Sequence, residues 1–199
     1  MKKMLAVTVA VLAGVGVAVL AQAAGITGSG HDLSGMGTTG GEICIACHTP
    51  HNADTTVADA PLWNHKLTTA NYTLYDSPTF SAKPSVSQPG GVSKLCLSCH
   101  DGTVAVDSFA GLTGDTMIAG AANLGTNLKK SHPISFTYNA ALATLDGELA
   151  DPATLPAGWV NGGKFECSSC HDVHNKAGGT GMLHMSNANS ALCLKCHIK

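Results

Sequence analysis

Apolar residues form one long run near the amino-terminal end of the chain and are otherwise scattered in short groups. The run covers residues 5–20 and follows Lys2 and Lys3. Ala21-Gln22-Ala23 comes next, with small residues at the spacing of a signal-peptide cleavage site. We therefore predict that residues 1–23 are a signal peptide, removed from the mature protein. A membrane anchor is the alternative, but a span needs about 20 apolar residues and this run is shorter.

The remaining chain, residues 24–199, is predicted to form one domain. Stretches rich in Gly, Ser, Thr, Asn and Pro indicate turns at 35–41, 77–91, 151–163 and 178–181. The pattern predicts a short helix over 139–149, although Gly147 weakens it, and a strand-like patch at 103–106. We expect mostly loops and short helices, with little regular secondary structure.

Composition directs attention to the cysteines and histidines. Aromatic residues make up 5% of the chain and charged residues 12%, whereas there are eight Cys and ten His. The chain has no Arg, so it lacks the basic, Arg-bearing surface of a nucleic-acid-binding protein. Without residues 1–23, nine Lys remain against 13 acidic residues, a formal net charge of −4. No second long apolar run follows, so we expect no membrane span in the mature form.

All eight cysteines belong to four copies of the pattern Cys-x-x-Cys-His, at 44–48, 96–100, 167–171 and 193–197. This is the attachment pattern of c-type haem, in which both thiols form thioethers and the His binds the iron as proximal ligand. We therefore predict four haem c groups. The thioethers are expected at Cys44, Cys47, Cys96, Cys99, Cys167, Cys170, Cys193 and Cys196, and the proximal iron ligands are His48, His100, His171 and His197.

Cysteine pairs of this spacing also occur in zinc sites and redox-active dithiols, and eight cysteines in an exported protein could form four disulfides. None of these requires a His directly after the second Cys, yet all four pairs have one. An export signal also agrees with haem, because c-type cytochromes receive their haem outside the cytoplasm. A zinc or disulfide protein is therefore the least favoured interpretation.

Six further histidines could supply the second axial ligand of each iron. His51 and His174 follow a proximal His by three residues, too close to reach the other face of the same haem, so each is expected to bind a neighbouring haem. Pro133 holds His132 extended, which suits a loop that delivers an imidazole. The surplus of His over Met favours bis-His ligation. We predict the distal ligands to be His31, His51, His132 and His174, with His65 and His184 as possible ones.

Two smaller expectations concern the surroundings of the haems. Asp101 and Asp172 each follow a proximal His and could accept a hydrogen bond from an imidazole N–H, although capping of a helix end or a solvated surface position is at least as well favoured. With few aromatic residues, the chain makes a poor conventional core. The aromatic side chains are expected to pack on haem edges or, alternatively, on one another.

Several segments resemble the multihaem c-type cytochromes of metal-reducing bacteria, and in particular the OmcE-like tetrahaem cytochromes that form extracellular filaments. The similar segments are Gly30-His31-Asp32-Leu33-Ser34, residues 43–52, Pro61-Leu62-Trp63-Asn64-His65, residues 99–102, Ser131-His132-Pro133 and residues 170–175. The resemblance implies a loop-rich fold wrapped around a chain of four haems, bis-His ligation, and head-to-tail subunits. It also implies that one distal His comes from the adjacent subunit, and His31 is the expected one.

The favoured function is electron transfer along closely spaced haems, without enzymatic activity. A polymerising extracellular filament and a soluble periplasmic tetrahaem shuttle are both compatible with the sequence, and the protein is expected outside the cytoplasm in either case. Expected partners are further copies of the chain, redox proteins or extracellular metal oxides. A multihaem reductase with one open iron is a less favoured alternative, because the surplus of His leaves little reason for an open position.

Overall fold

The structure is a computed structural model and describes residues 25–58 and 60–198. The predicted signal peptide at 1–23 lies outside the described residues. The described part contains two α-helices, α1 at Gly91–His100 and α2 at Ala140–Asp146, and two strands, β1 at Phe136–Thr137 and β2 at Lys164–Phe165. Short 3₁₀ turns occur at Gly37–Thr39, Lys83–Ser85, Gly120–Ala122, Pro152–Thr154, Cys167–Ser169, Thr180–Met182, Ala188–Ser190 and Cys193–Lys195. The predicted loop-rich fold with little regular secondary structure is confirmed.

The helix predicted over 139–149 is present but shorter. Asn139 caps its beginning, because its side-chain oxygen accepts a hydrogen bond from the backbone N–H of Leu142. Gly147 ends it with a φ of 74°, a left-handed conformation that glycine adopts without steric cost. The prediction of a strand-like patch at 103–106 is wrong, because the structure has bends and turns there.

The largest apolar cluster surrounds the two strands. β1 and β2 pair in antiparallel register, so that Phe136 lies opposite Phe165 with ring centroids 5.4 Å apart and nearly parallel planes. Two-residue strands make few backbone hydrogen bonds, so side-chain packing holds this pair together. The aromatic cluster consists of Ala82, Phe136, Tyr138, Leu142 and Phe165. These aromatic rings pack on one another, which was the alternative expectation.

Helix α1 takes part in two of the three apolar clusters. Leu95 packs with Val57 and Trp63, whereas Leu97 packs with Tyr72 and Leu128 in a separate cluster. The helix therefore joins two small apolar clusters, and no single large core is needed. Its last five residues are the second Cys-x-x-Cys-His motif, which places that motif inside the protein. No helix of the described residues is long and apolar enough to cross a membrane.

Candidate functional site

Each Cys-x-x-Cys-His motif folds as one helical turn. In the first, third and fourth motifs the backbone N–H of the His donates to the carbonyl of the first Cys, at 2.9, 3.1 and 2.9 Å respectively. The second motif lies in α1. Residues at positions i, i+3 and i+4 of a helical turn share a face, so the turn brings both thiols and the imidazole to one side. The four motifs therefore have the local geometry that covalent haem attachment requires.

The backbones of three of the four proximal histidines pair with a neighbouring segment. His48, His171 and His197 form isolated antiparallel bridges with Trp63, Leu183 and Leu149. His100, by contrast, is the last residue of α1. Long-range backbone pairing thus orients these ligands where long helices or strands are lacking.

A backbone carbonyl also orients most of these imidazoles. The Nδ1 atoms of His48, His100 and His171 lie 2.6, 2.8 and 2.8 Å from the carbonyl oxygens of Pro61, Ala122 and Gly181. A protonated Nδ1 that donates to a carbonyl leaves Nε2 with its lone pair available for a metal. The predicted distal ligand His132 has the same arrangement, with its Nδ1 2.8 Å from the carbonyl of Pro133.

Three proximal histidines each face a second histidine from a distant part of the chain. The ring centroids of His48 and His174, and those of His132 and His197, are 6.3 Å apart, and those of His31 and His100 are 5.8 Å apart. Two imidazoles on opposite sides of one metal ion, with metal–nitrogen bonds of about 2 Å, have centroids about 6 Å apart. The residues present therefore fit a bis-His haem at each of these three pairs.

His31 has surroundings suited to a neutral iron ligand. Its ring lies beside His100, and its Nδ1 is 3.0 Å from the sulfur of Met182. Burial, and then the charges of His100 and His171, lower the pKa of His31. The neutral imidazole, which is the form that binds iron, therefore predominates at neutral pH.

The remaining candidates differ sharply in their surroundings. His51 is exposed, and within the described residues its ring has no hydrogen bond or ring contact. It borders a cavity of about 760 Å³ that is also lined by Lys66, Leu112 and Trp63. The indole N–H of Trp63 is buried without a hydrogen-bond partner in the part of the chain that the structure describes. His171 is the proximal ligand that pairs with no other imidazole of the described residues at the separation seen above.

The two histidines predicted as possible distal ligands are engaged elsewhere. His65 is 3% exposed, and its Nδ1 and Nε2 lie 2.8 and 2.9 Å from the carbonyl oxygens of Lys66 and Ala105. His184 stacks on Trp159 at a centroid distance of 5.1 Å, with its Nε2 2.8 Å from the carbonyl of Ser168. Both nitrogens of His65 thus lie against protein carbonyls, whereas His184 keeps only Nδ1 free and its ring is stacked on an indole, so this geometry favours structural roles for both.

The motifs contact one another in sequence order. The thiols of Cys47 and Cys99 are close enough for one to raise the pKa of the other, and so are those of Cys170 and Cys196. Between them, the thiols of Cys96 and Cys167 lie close enough for each to shift the pKa of the other. These contacts join the first motif to the second, the second to the third, and the third to the fourth, so the attachment sites form one continuous series.

No disulfide joins any of the eight cysteines. Burial raises the pKa of Cys99 to about 12 and that of Cys170 to about 11, whereas a redox-active dithiol needs a lowered thiol pKa. The pKa of Cys167, by contrast, is lowered, chiefly by its interaction with the Cys96 thiol. A structural zinc site needs four converging ligands, and within residues 25–58 and 60–198 no three His, Cys, Asp or Glu side chains converge in this way.

The aspartates that follow proximal histidines do not bind those imidazoles. Asp101, 3% exposed, accepts hydrogen bonds from the hydroxyls of Thr68 and Tyr72, both at 2.6 Å, and from the backbone N–H and hydroxyl of Thr103. It thus ties the end of α1 to the segment 68–72. Asp172 accepts from the backbone N–H groups of His174 and Lys176. Backbone carbonyls, which no sequence pattern marks, orient the imidazoles instead.

Replacing Asp101 with Asn is expected to destabilise the haem-loaded protein by about 3 kcal/mol, because buried donors lose a charged acceptor. Burial alone would raise the pKa of Asp101, but its hydrogen bonds outweigh burial and the net pKa is lowered. The stabilisation is therefore complete above the unfolded-state pKa of about 4 and is lost as the pH falls through the lower folded-state pKa.

Thermal unfolding of the parent and of D101N from neutral to acidic pH measures this effect. The stability difference should be constant near neutrality and shrink in acid. Asp76→Asn is the matched control, because Asp76 forms an exposed ion pair with Lys83 that is expected to contribute less than about 1 kcal/mol. Equal effects of D101N and D76N at neutral pH would contradict the structural role given to Asp101.

Comparison with known proteins agrees with the geometry of the carboxy-terminal motifs. Residues 158–199 match a protein family described as the doubled CXXCH motif. This match indicates a multihaem c-type cytochrome. The matched segment contains the third and fourth motifs of this chain, and CXXCH motifs imply covalently bound haem c. Comparison with curated proteins gives no match.

Proposed function

We propose that the chain is an electron-transfer protein with four covalently bound haems, one at each Cys-x-x-Cys-His motif. The observation that carries the proposal is the pairing of His48 with His174, His132 with His197, and His31 with His100 at about the separation of two axial ligands. A haem iron bound by two imidazoles exchanges one electron without an open coordination position.

The protein's own contribution is to fix ligands and to keep the attachment sites adjacent. Thioether-forming thiols of successive motifs approach one another at Cys47 and Cys99, at Cys96 and Cys167, and at Cys170 and Cys196. Cys170 and Cys196 also pack against the aromatic cluster. This series supports passage of electrons along the whole molecule, and no substrate-binding residue is needed.

Redox titration of the mature protein tests this function. We expect reversible uptake of four electrons per chain and low-spin spectra at the paired sites. An uptake of fewer than four electrons, or irreversible loss of the spectrum on reduction, would contradict the proposal.

The site of action is proposed to be outside the cytoplasm, at the cell surface or in the periplasm, with redox proteins or extracellular metal oxides as partners.

We also propose that the subunits join head to tail through a shared haem. The sequence favoured His31 as the ligand given to a neighbour, but its ring lies against His100 of its own chain. His51 suits the role better, because it is exposed, borders a cavity and has a ring that contacts no other side chain of the described residues. Among the described residues, no imidazole forms a ring pair with His171 like those of the other three proximal histidines. The proposed junction therefore pairs His51 of one subunit with the haem held by His171 of the next.

Electron microscopy of the haem-loaded protein and of His51→Ala tests the junction. The parent is expected to form filaments, whereas H51A should remain monomeric because the shared ligand is lost. His184→Ala, which removes an imidazole that stacks on Trp159, should still polymerise. Filaments of H51A would contradict the role of His51. A parent that forms only small monodisperse particles would contradict polymerisation and leave a soluble tetrahaem shuttle.

The unpaired His171 also favours a second candidate function, a multihaem reductase with one open iron. Carbon monoxide binding to the reduced protein separates the two. If His51 of a neighbour completes the site, assembled protein should bind no carbon monoxide, while H51A should bind one molecule per chain. Binding by the assembled parent would favour the reductase.

A further inference from the structure

Glu166 is a buried carboxylate that the proposed function does not use. It is 3% exposed and directly precedes the third motif. The hydroxyls of Ser93 and Ser135 both donate to its Oε2 atom, the latter at 3.0 Å. Within the described residues it forms no ion pair. The charge of a carboxylate that has no neighbouring cation, at a site that water does not screen, interacts strongly with the groups around it.

Ser93 connects this carboxylate to both central motifs. Its oxygen accepts a hydrogen bond from the backbone N–H of Cys167 at 3.0 Å, so its single proton is the one donated to Glu166. Ser93 belongs to α1 and precedes Cys96 by three residues. Glu166 therefore lies where the second and third motifs meet, and its charge acts on the thiols of Cys96 and Cys167.

We propose that Glu166 is a positioning residue that lowers the reduction potentials of the two haems attached to the second and third motifs. The inference rests on the proposed function. A negative charge stabilises a ferric centre relative to a ferrous one, and the effect is largest where water does not screen it. The same carboxylate docks α1 against the turn Cys167–Ser169 through Ser93, so one residue joins the two sites and sets their electrostatics.

The test is a spectroelectrochemical titration of the haem-loaded protein and of Glu166→Gln. Gln retains an oxygen that accepts hydrogen bonds but removes the charge, so two of the four haem transitions should move to higher potential while the low-spin spectrum is kept. Glu42→Gln is the matched control: Glu42 also lies near a motif, two residues before Cys44, but is exposed. It should leave all four transitions in place. Glu166→Asp, which keeps the charge, should resemble the parent.

Unchanged transitions in a folded E166Q protein with its full haem content would overturn the inference. If E166Q fails to fold, Ser135→Ala is measured in its place. Loss of one hydrogen-bond donor leaves the charge of Glu166 less compensated, so the same two transitions should move to lower potential. Unchanged transitions in S135A would also overturn the inference. A parent protein without attached haem would instead contradict the proposed function, so the two failures are distinguishable.

Discussion

Replacing His174 with Ala is expected to convert one haem from low spin to high spin. The His174 ring is 6.3 Å from that of His48 and nearly parallel to it, and no other imidazole contacts His48 among the described residues. The haem attached through Cys44 and Cys47 would therefore lose its sixth ligand. Electron paramagnetic resonance of the oxidised protein should show one additional high-spin haem per chain, and the reduced protein should bind one additional carbon monoxide.

The matched control for this experiment is His184→Ala. His184 belongs to the same carboxy-terminal region, but its Nε2 is bonded to the carbonyl of Ser168 and its ring stacks on Trp159. Its removal should leave the spin states unchanged and cost some stability. If H174A stays entirely low spin, or if H184A creates the high-spin haem, the pairing of His48 with His174 is wrong.

The chain made without haem attachment is expected to be largely unfolded. The described part has two α-helices of 10 and 7 residues and strands of two residues. Helices shorter than about 12 residues are marginal in isolation, and three small apolar clusters replace a single core. Thioethers and axial bonds must therefore supply much of the order, as metal ions do in small metal-dependent domains.

Circular dichroism and proton NMR of the haem-free chain, kept under reducing conditions, measure this dependence. We expect little secondary structure, narrow chemical-shift dispersion and no cooperative thermal transition, whereas the haem-loaded protein should unfold cooperatively. A cooperative transition of the haem-free chain would show that the aromatic cluster and α1 suffice for folding.

The chemistry of the site could be predicted from the sequence because it is local. Cys-x-x-Cys-His places all covalent and proximal groups within five residues, so the pattern itself predicts their role. The loop-rich fold followed from the Gly-rich linkers and the shortage of long periodic segments. The helix at Ala140–Asp146 was found in the same way, from the apolar spacing between Asn139 and Gly147.

The pairing of ligands could not be predicted, because it depends on tertiary contacts. His48 meets His174 and His132 meets His197 across long stretches of irregular chain, and no periodicity marks such encounters. The strands Phe136–Thr137 and Lys164–Phe165 are too short to show an alternating pattern. Glu166 and Ser93 looked like ordinary polar residues, since their burial follows from the docking of α1 against the third motif.

The intact mass of the mature, haem-loaded chain shows whether every Cys-x-x-Cys-His motif carries a haem. We expect a chain that begins after Ala23 and carries four covalently attached haems, with no free thiol left to alkylate. A mass that corresponds to fewer than four haems, or cysteines that remain open to alkylation, would show that at least one motif does not bind haem.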